Sequence, residues 1–313
     1  MELREIDELR AAMPVGRTVY HYYKDRYSLQ LLRYAVPRET PVSVLRNGAV
    51  AGLLQKPRVQ PVLAACNGVL SPILLKSADG DVAEEHYTLS IGAWGRNEDE
   101  QKQMSRRGAN LVLQLNFSRR HDEAFNRVLK PDVGIDPFNY SGHPAVHSEE
   151  AGRRYTLAWA RLDIDLDRGE AVIEEIQSDW VREAAYARDM AKRYEPGLRR
   201  YYKLDADAGK IASYCEEVLA PHAAVWDETM LSAALFFLRE ELSIKHIYYH
   251  TPETGVRFKD IKWTAPPRSL YTNLPRRFCF RETEELPGFL AANKRIANIR
   301  RCSPKLRLQK LLV

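Results

Sequence analysis

The residue types best suited to chemistry lie together in Ile173-Glu174-Glu175-Ile176-Gln177-Ser178-Asp179-Trp180. On a β-strand alternate side chains share a face, so Glu175, Gln177 and, if the strand continues, Asp179 line up, with Glu174 opposite. Acid on both faces is unusual for a buried strand. A carboxylate at the end of a strand, beside a helix N-terminus, is placed to act as a general base or to hold an amine. The same spacing also suits a helix cap with solvent-facing acids. A second set follows in His246-Ile247-Tyr248-Tyr249-His250-Thr251-Pro252-Glu253, where His246, Tyr248 and His250 fall on one face and an imidazole could exchange protons near neutral pH.

Other acids and histidines offer weaker patterns. Asp163, Asp165 and Glu175 resemble the carboxylate set of a metal-dependent nuclease, yet Gln177 stands where such a site would carry its lysine. His143 and His147 have a zinc-compatible separation, but no third ligand is near them in the sequence. No glycine-rich dinucleotide, P-loop or nucleophile-elbow motif occurs, and the residues call for no cofactor. Arg106 and Arg107 suit either a phosphate contact or an ordinary charged loop. Tyr20, Tyr22, Tyr23, Trp94, Trp159, Trp180 and Trp226 suit core packing better than a ligand pocket.

The elements that must position these groups are readable from pattern. Tyr155–Asp165 and Glu170–Gln177 are β runs joined by Asp167-Arg168-Gly169, which predicts an antiparallel hairpin. Ser178 or Asp179 can cap a helix over Trp180–Tyr194. Helices are expected near 206–219 and 228–242, followed by a strand over Ile244–His250. Earlier, residues 2–12 read as an amphipathic helix, Tyr87–Ile91 and Asn110–Phe117 as strands, His121–Leu129 as a helix, and 131–148 as a long loop. Between Val42 and Leu75, apolar runs broken by Pro, Gly and Asn favour strands and short helices.

Composition sets the frame. The 313 residues are 45% apolar and 28% charged, enough for a large core of α/β (α+β) class with a mixed, mostly antiparallel sheet flanked by helices. Cys66, Cys215, Cys279 and Cys302 are irregularly spaced, as expected of reduced thiols. The start lacks a signal-peptide pattern and no run is long and apolar enough for a membrane span, so the expectation is a cytoplasmic protein without a membrane partner. The net charge of +5 is uneven, because residues 294–313 hold seven basic residues and no acid. Arg295, Arg300, Arg301, Lys305, Arg307 and Lys310 could therefore neutralise phosphates of tRNA or another nucleic acid, as well as serve a solvated tail.

The run Glu174–Trp180, with Trp226-Asp227-Glu228 opening a helix and Ile247–Thr251, resembles an uncharacterised bacterial and phage family that carries an EEIQSDW signature. More loosely, residues 155–285 are similar in their order of elements to the GNAT acyltransferase core: a hairpin, a central strand with a carboxylate, a helix, a strand, and a last strand around Phe278–Phe280. With the charge distribution, the expected organisation is an N-terminal α/β region over 1–150 packed on the core, a catalytic region over 151–293 that the resemblance implies is GNAT-like, and a basic tail over 294–313. The glycine-containing turn that holds the coenzyme A pyrophosphate in that family is absent after Gln177, and a helical insertion stands in its place.

The expected function is transfer of an acyl group to a small amine or amino acid, with aminoacyl-tRNA as donor rather than acyl-CoA. In that reading Glu175 or Asp179 positions the amine, Gln177 orients it, and Tyr248 or His250 moves a proton. Glu174, Trp180, Trp226, Glu228 and Glu253 are the expected substrate contacts. The alternatives are the metal-dependent nuclease and a non-catalytic nucleic-acid-binding protein.

Overall fold

A computed structural model describes residues 1–12, 18–80, 85–145, 154–261 and 267–313. Eight strands form one sheet in the order β1-β4-β5-β6-β7-β8-β10-β9. They are β1 (Thr18–Tyr22), β4 (Glu85–Trp94), β5 (Asn110–Asn116), β6 (Thr156–Asp165), β7 (Glu170–Gln177), β8 (His246–His250), β9 (Phe280–Thr283) and β10 (Leu308–Leu311). The short strands β2 (Thr40–Pro41) and β3 (Val69–Leu70) pair with each other. Every neighbouring pair in the large sheet is antiparallel except β7 and β8, which run parallel. The result is a mixed, mostly antiparallel sheet flanked by helices, the class expected from composition and pattern.

Local sequence accounts for the centre of the sheet. The β6–β7 turn closes with Gly169 at φ 63° and with the Arg168 N–H donating to the Asp165 carboxylate at 3.0 Å. Only a residue tolerant of left-handed backbone completes so tight a connection. A parallel partner for β7 requires a crossover, which the helices Asp179–Arg193 and Trp226–Phe236 supply. Ser178 caps the first of these by accepting from the Val181 N–H at 3.2 Å. The helices bury Trp180, Ala184, Met230 and Leu231 against one sheet face in a single large core. The other face is packed by two smaller clusters. One joins Trp94, Met104, Val112 and Trp159, and the other joins Val172, Tyr248, Phe258, Phe289 and Leu308. Both faces of β5 are thereby covered and all seven of its residues are buried.

Two sequence expectations change. The proposed boundary near residue 150 falls between β5 and β6, which are adjacent in the same sheet, so the N-terminal strands and the C-terminal half share one layer. Residues 294–313 do not form a tail. Lys294–Cys302 is a helix, and β10 lies inside the sheet between β8 and β9. The physical reason is apolar spacing hidden among cations, because Leu306, Leu308 and Leu311 are buried while Lys305 and Arg307 point outward. The strand expected to be last, near Phe278–Phe280, is β9, and β10 follows it.

Deleting residues 304–313 removes an interior strand, so the truncated chain is expected to lose its cooperative unfolding transition in urea. A solvated tail would leave the midpoint unchanged.

Candidate active site at the carboxyl edge of the parallel strands

The chemistry-bearing end of β7 is shaped by a β-bulge. Arg161 pairs with Glu175 but Leu162 pairs with Ile173, which leaves Glu174 as the extra residue. Ile173 and Ile176, three apart instead of two, both enter the large core. Val172, Glu174, Glu175 and Gln177 therefore all turn to the second face, and the expected opposition of Glu174 to Glu175 is corrected by the bulge.

The parallel pairing of β7 with β8 ends at the same place, after Ile173 and Tyr249. Lys259 enters the opening beyond it. Its ammonium donates to the Glu174 carbonyl at 2.8 Å and lies 3.5 Å from the Glu175 carboxylate. Tyr271 reaches the same carbonyl with its hydroxyl at 3.5 Å. A side-chain cation thus satisfies a backbone acceptor that the strand ladder has given up. Glu175 also pairs with Arg161, whose guanidinium lies over the Trp94 ring and donates to the Gln103 carbonyl at 3.1 Å.

Glu174 accepts from the Ser105 hydroxyl at 2.9 Å and lies 3.1 Å from His250 Nε2. His250 Nδ1 meets the Thr254 hydroxyl at 3.1 Å. Glu174, His250, Lys259 and Ser105 are fully enclosed. Ser105 and Glu174 contact the same ring nitrogen of His250. A Ser-His-acid relay needs the carboxylate on the opposite nitrogen, so this triangle is not a nucleophilic triad. Burial opposes ionisation of both acids, but His250, Lys259 and Arg161 around Glu174, and Lys259 and Arg161 around Glu175, hold each carboxyl at about 2. Burial lowers His250 below its ordinary value despite Glu174, and lowers Lys259 despite Glu175.

A second cluster forms at the mouth. The Asp179 carboxylate is buried and receives His143 Nδ1 at 2.8 Å, Gln177 at 2.7 Å, Arg182 at 2.6 Å and the Trp159 indole at 3.4 Å. Burial opposes ionisation of Asp179, and these donors lower its pKa on balance. A carboxylate can only accept, so Nδ1 carries the hydrogen and Nε2 is the basic nitrogen of the neutral ring. His143 is 27% exposed and Glu175 is 14% exposed, so both reach solvent at this edge. The loop holding His143 is fixed by buried Phe138 and by Gln114, which donates to the Pro144 carbonyl at 2.8 Å.

Of the expected site residues, the structure brings together Glu174, Glu175, Gln177, Asp179 and His250. It places the rest elsewhere. Tyr248 donates to Glu285 at 2.7 Å, away from the acids. Trp180 is buried in the large core and donates to Tyr214 at 2.6 Å. Trp226 packs against that same core, and Glu228 accepts from the Asp25 N–H at 2.9 Å and pairs with Arg277. Glu253 is exposed, 3.8 Å from Arg268.

The basic residues are mostly engaged within the chain. Arg295 donates to the carbonyls of Met104, Ser105 and Phe258, Arg300 to that of Glu284, and Arg301 to Asn298. Arg307 pairs with Glu284 and Lys310 with Glu285, while Lys305 is exposed. Asp163 is held by Arg106 at 2.8 Å and Asp165 by Arg168. Among the described residues no group of three or more His, Cys, Asp or Glu is arranged to hold a metal ion. His147 lies outside the described residues.

Sequence reasoning missed Arg161, Lys259 and Ser105, and it weighed His143 only as a metal ligand. A charged residue inside the apolar run Leu157–Leu162 was a usable signal for Arg161, since lone buried cations are rare. Nothing in spacing points Lys259 or His143 at β7.

Replacing Lys259 with methionine leaves Glu175 and a backbone carbonyl short of a buried partner, and is expected to cost about 3–5 kcal/mol in urea titrations at pH 7. Both acids have depressed folded-state values, so the stability they add is full above pH 4.5 and is lost as pH falls toward 2. The deficit of Lys259→Met should shrink over that window, and a deficit that stays constant would contradict the pairing. Among the described residues no helix is long and apolar enough to cross a membrane. Comparison with protein families, curated proteins and solved structures found no match, so the functional reading rests on the geometry of this edge.

Proposed function

We propose that the chain is a group-transfer enzyme that forms an amide on a small amine, with His143 as the proton acceptor and Asp179 as the residue that orients it. The observation that carries the reading is the His143–Asp179 contact of 2.8 Å at a partly exposed strand end beside Glu175. A buried carboxylate on Nδ1 fixes the imidazole tautomer and stabilises the imidazolium that forms when Nε2 takes a proton. Glu175 supplies a negative charge to attract the incoming ammonium, which releases one proton to solvent before it reacts as the free amine, and Gln177 is fixed through Asp179.

In the step itself the amine nitrogen forms a bond to the donor's carbonyl carbon while its proton passes to His143. The carbonyl electrons return as the ester C–O bond breaks, and the leaving oxygen recovers a proton from His143. Arg161 and Lys259, both enclosed and paired with Glu175, act through that carboxylate, which they hold ionised. Arg161 Nε, buried and without a hydrogen-bond partner among the described residues, is an unsatisfied donor.

The order of elements supports a GNAT-like arrangement, since a hairpin, a crossover of helices and a parallel strand follow one another as in that core. The helix after Gln177 starts at Asp179 with no glycine turn between, which favours an aminoacyl-tRNA ester over acyl-CoA as donor. Support from the C-terminal cations is narrower than sequence suggested, because Arg295, Arg307 and Lys310 are engaged internally. The acids of the nuclease alternative are each bound by a cation, and the exposed Lys294, Arg301 and Lys305 keep the non-catalytic nucleic-acid reading in view.

Purified protein mixed with charged tRNA and a panel of amines should yield new amides detectable by mass spectrometry. His143→Ala should reduce the rate by roughly 10²–10⁴-fold, the usual share of a general base, with circular dichroism unchanged. Amide formation that survives His143→Ala, or none from either charged tRNA or acyl-CoA, contradicts the reading.

A further inference from the structure

We propose a second ligand site, independent of the transfer reading, in the cavity at the carboxyl end of β8, and assign it to a small sugar-phosphate-like molecule. The cavity has a volume of about 340 Å³ and is floored by Thr251, Tyr271, Phe280 and Gln309. That is near the lower end of the roughly 300–1,000 Å³ typical of small-molecule sites.

Three arginines, Arg268, Arg276 and Arg281, line it. Arg281 has neither a hydrogen bond nor an ion pair among the described residues. Arg276 reaches only Asn273, at 3.4 Å, and Arg268 meets Glu253 at a loose 3.8 Å. Neighbouring cations differ, since Arg277, Arg307 and Lys310 are each paired with a carboxylate. Arginine donors at a concave space, of which only Arg268 has an acid within ion-pair reach, match a phosphate, whose oxygens accept more hydrogen bonds than a carboxylate can.

Two features narrow the class. Glu253 and Glu282 also line the cavity and would repel a bare anion, but they accept well from the hydroxyls of a polyol. Tyr271 and Phe280 are buried, at 2% and 1% exposure, so no aromatic face is offered for a nucleobase to stack on. A phosphate carried on a sugar satisfies both sets of side chains, and a nucleotide leaves its base without a surface.

Titration calorimetry of the whole chain with ribose 5-phosphate, inorganic phosphate and adenosine 5′-monophosphate tests the assignment. Ribose 5-phosphate is expected to bind more tightly than either of the others. Arg276→Gln with Arg281→Gln should weaken it by about tenfold or more, equivalent to at least ~1.4 kcal/mol, and both residues are exposed, so the melting temperature should hold. Glu282→Gln should narrow the advantage over inorganic phosphate. No heat at millimolar ribose 5-phosphate, equal affinity for inorganic phosphate, tighter binding of the nucleotide, or an unaffected arginine double variant each overturns the proposal.

Discussion

The parallel pairing of β7 and β8 cannot continue past the bulge at Glu174, and the Lys259 ammonium fills the place where it stops. That one contact meets two needs at once. It satisfies the Glu174 carbonyl, which has no strand partner there, and it offsets the adjacent Glu175 carboxylate. In a low-dielectric interior an uncompensated acid or an unmade carbonyl bond would be strongly destabilising, so the separation of the strands and the charge within it depend on each other. Arg161, Ser105 and His250 then complete the shell, each from a different part of the chain.

The separation has a consequence for chemistry. Ligands of open α/β sheets gather at the carboxyl ends of parallel strands, and here that edge is divided by depth. The inner cluster of Glu174, His250 and Lys259 is sealed and its groups neutralise one another. The outer cluster of Asp179, Gln177, His143 and Glu175 reaches solvent. The inner groups form a rigid, charged floor, and the imidazole that solvent reaches is the outer one, which a buried carboxylate contacts at 2.8 Å.

Much of the frame was legible in the residues. The β6–β7 hairpin, the Ser178 cap and β8 follow from alternation, a turn glycine and a capping hydroxyl, all local signals. That the β7 acids and the β8 imidazole end at one edge was readable, but the acid that meets His250 is Glu174, which strict alternation sets opposite Glu175 and Gln177. The bulge was not read, although isoleucines three apart around two glutamates already break strict alternation. β10 was hidden because Arg307 and Lys310 interleave with its leucines and made the segment look like a solvated tail. His143 lies thirty-six residues from Asp179 in a loop, and no local pattern encodes a meeting at that distance. Tyr248 was misassigned for a simpler reason: alternation gives the face of a side chain but not the length of reach, and its hydroxyl extends to Glu285.

The dependence of the strand separation on its cation is tested most directly by a double-mutant cycle between Lys259 and Glu175. Unfolding free energies would be measured for the parent chain, Lys259→Met, Glu175→Gln and the pair together. A coupling energy of about 1–3 kcal/mol, the range for residues in one buried network, is the predicted result. Additive effects within about 0.3–0.5 kcal/mol would mean that the two groups do not share an interaction, and would contradict the account.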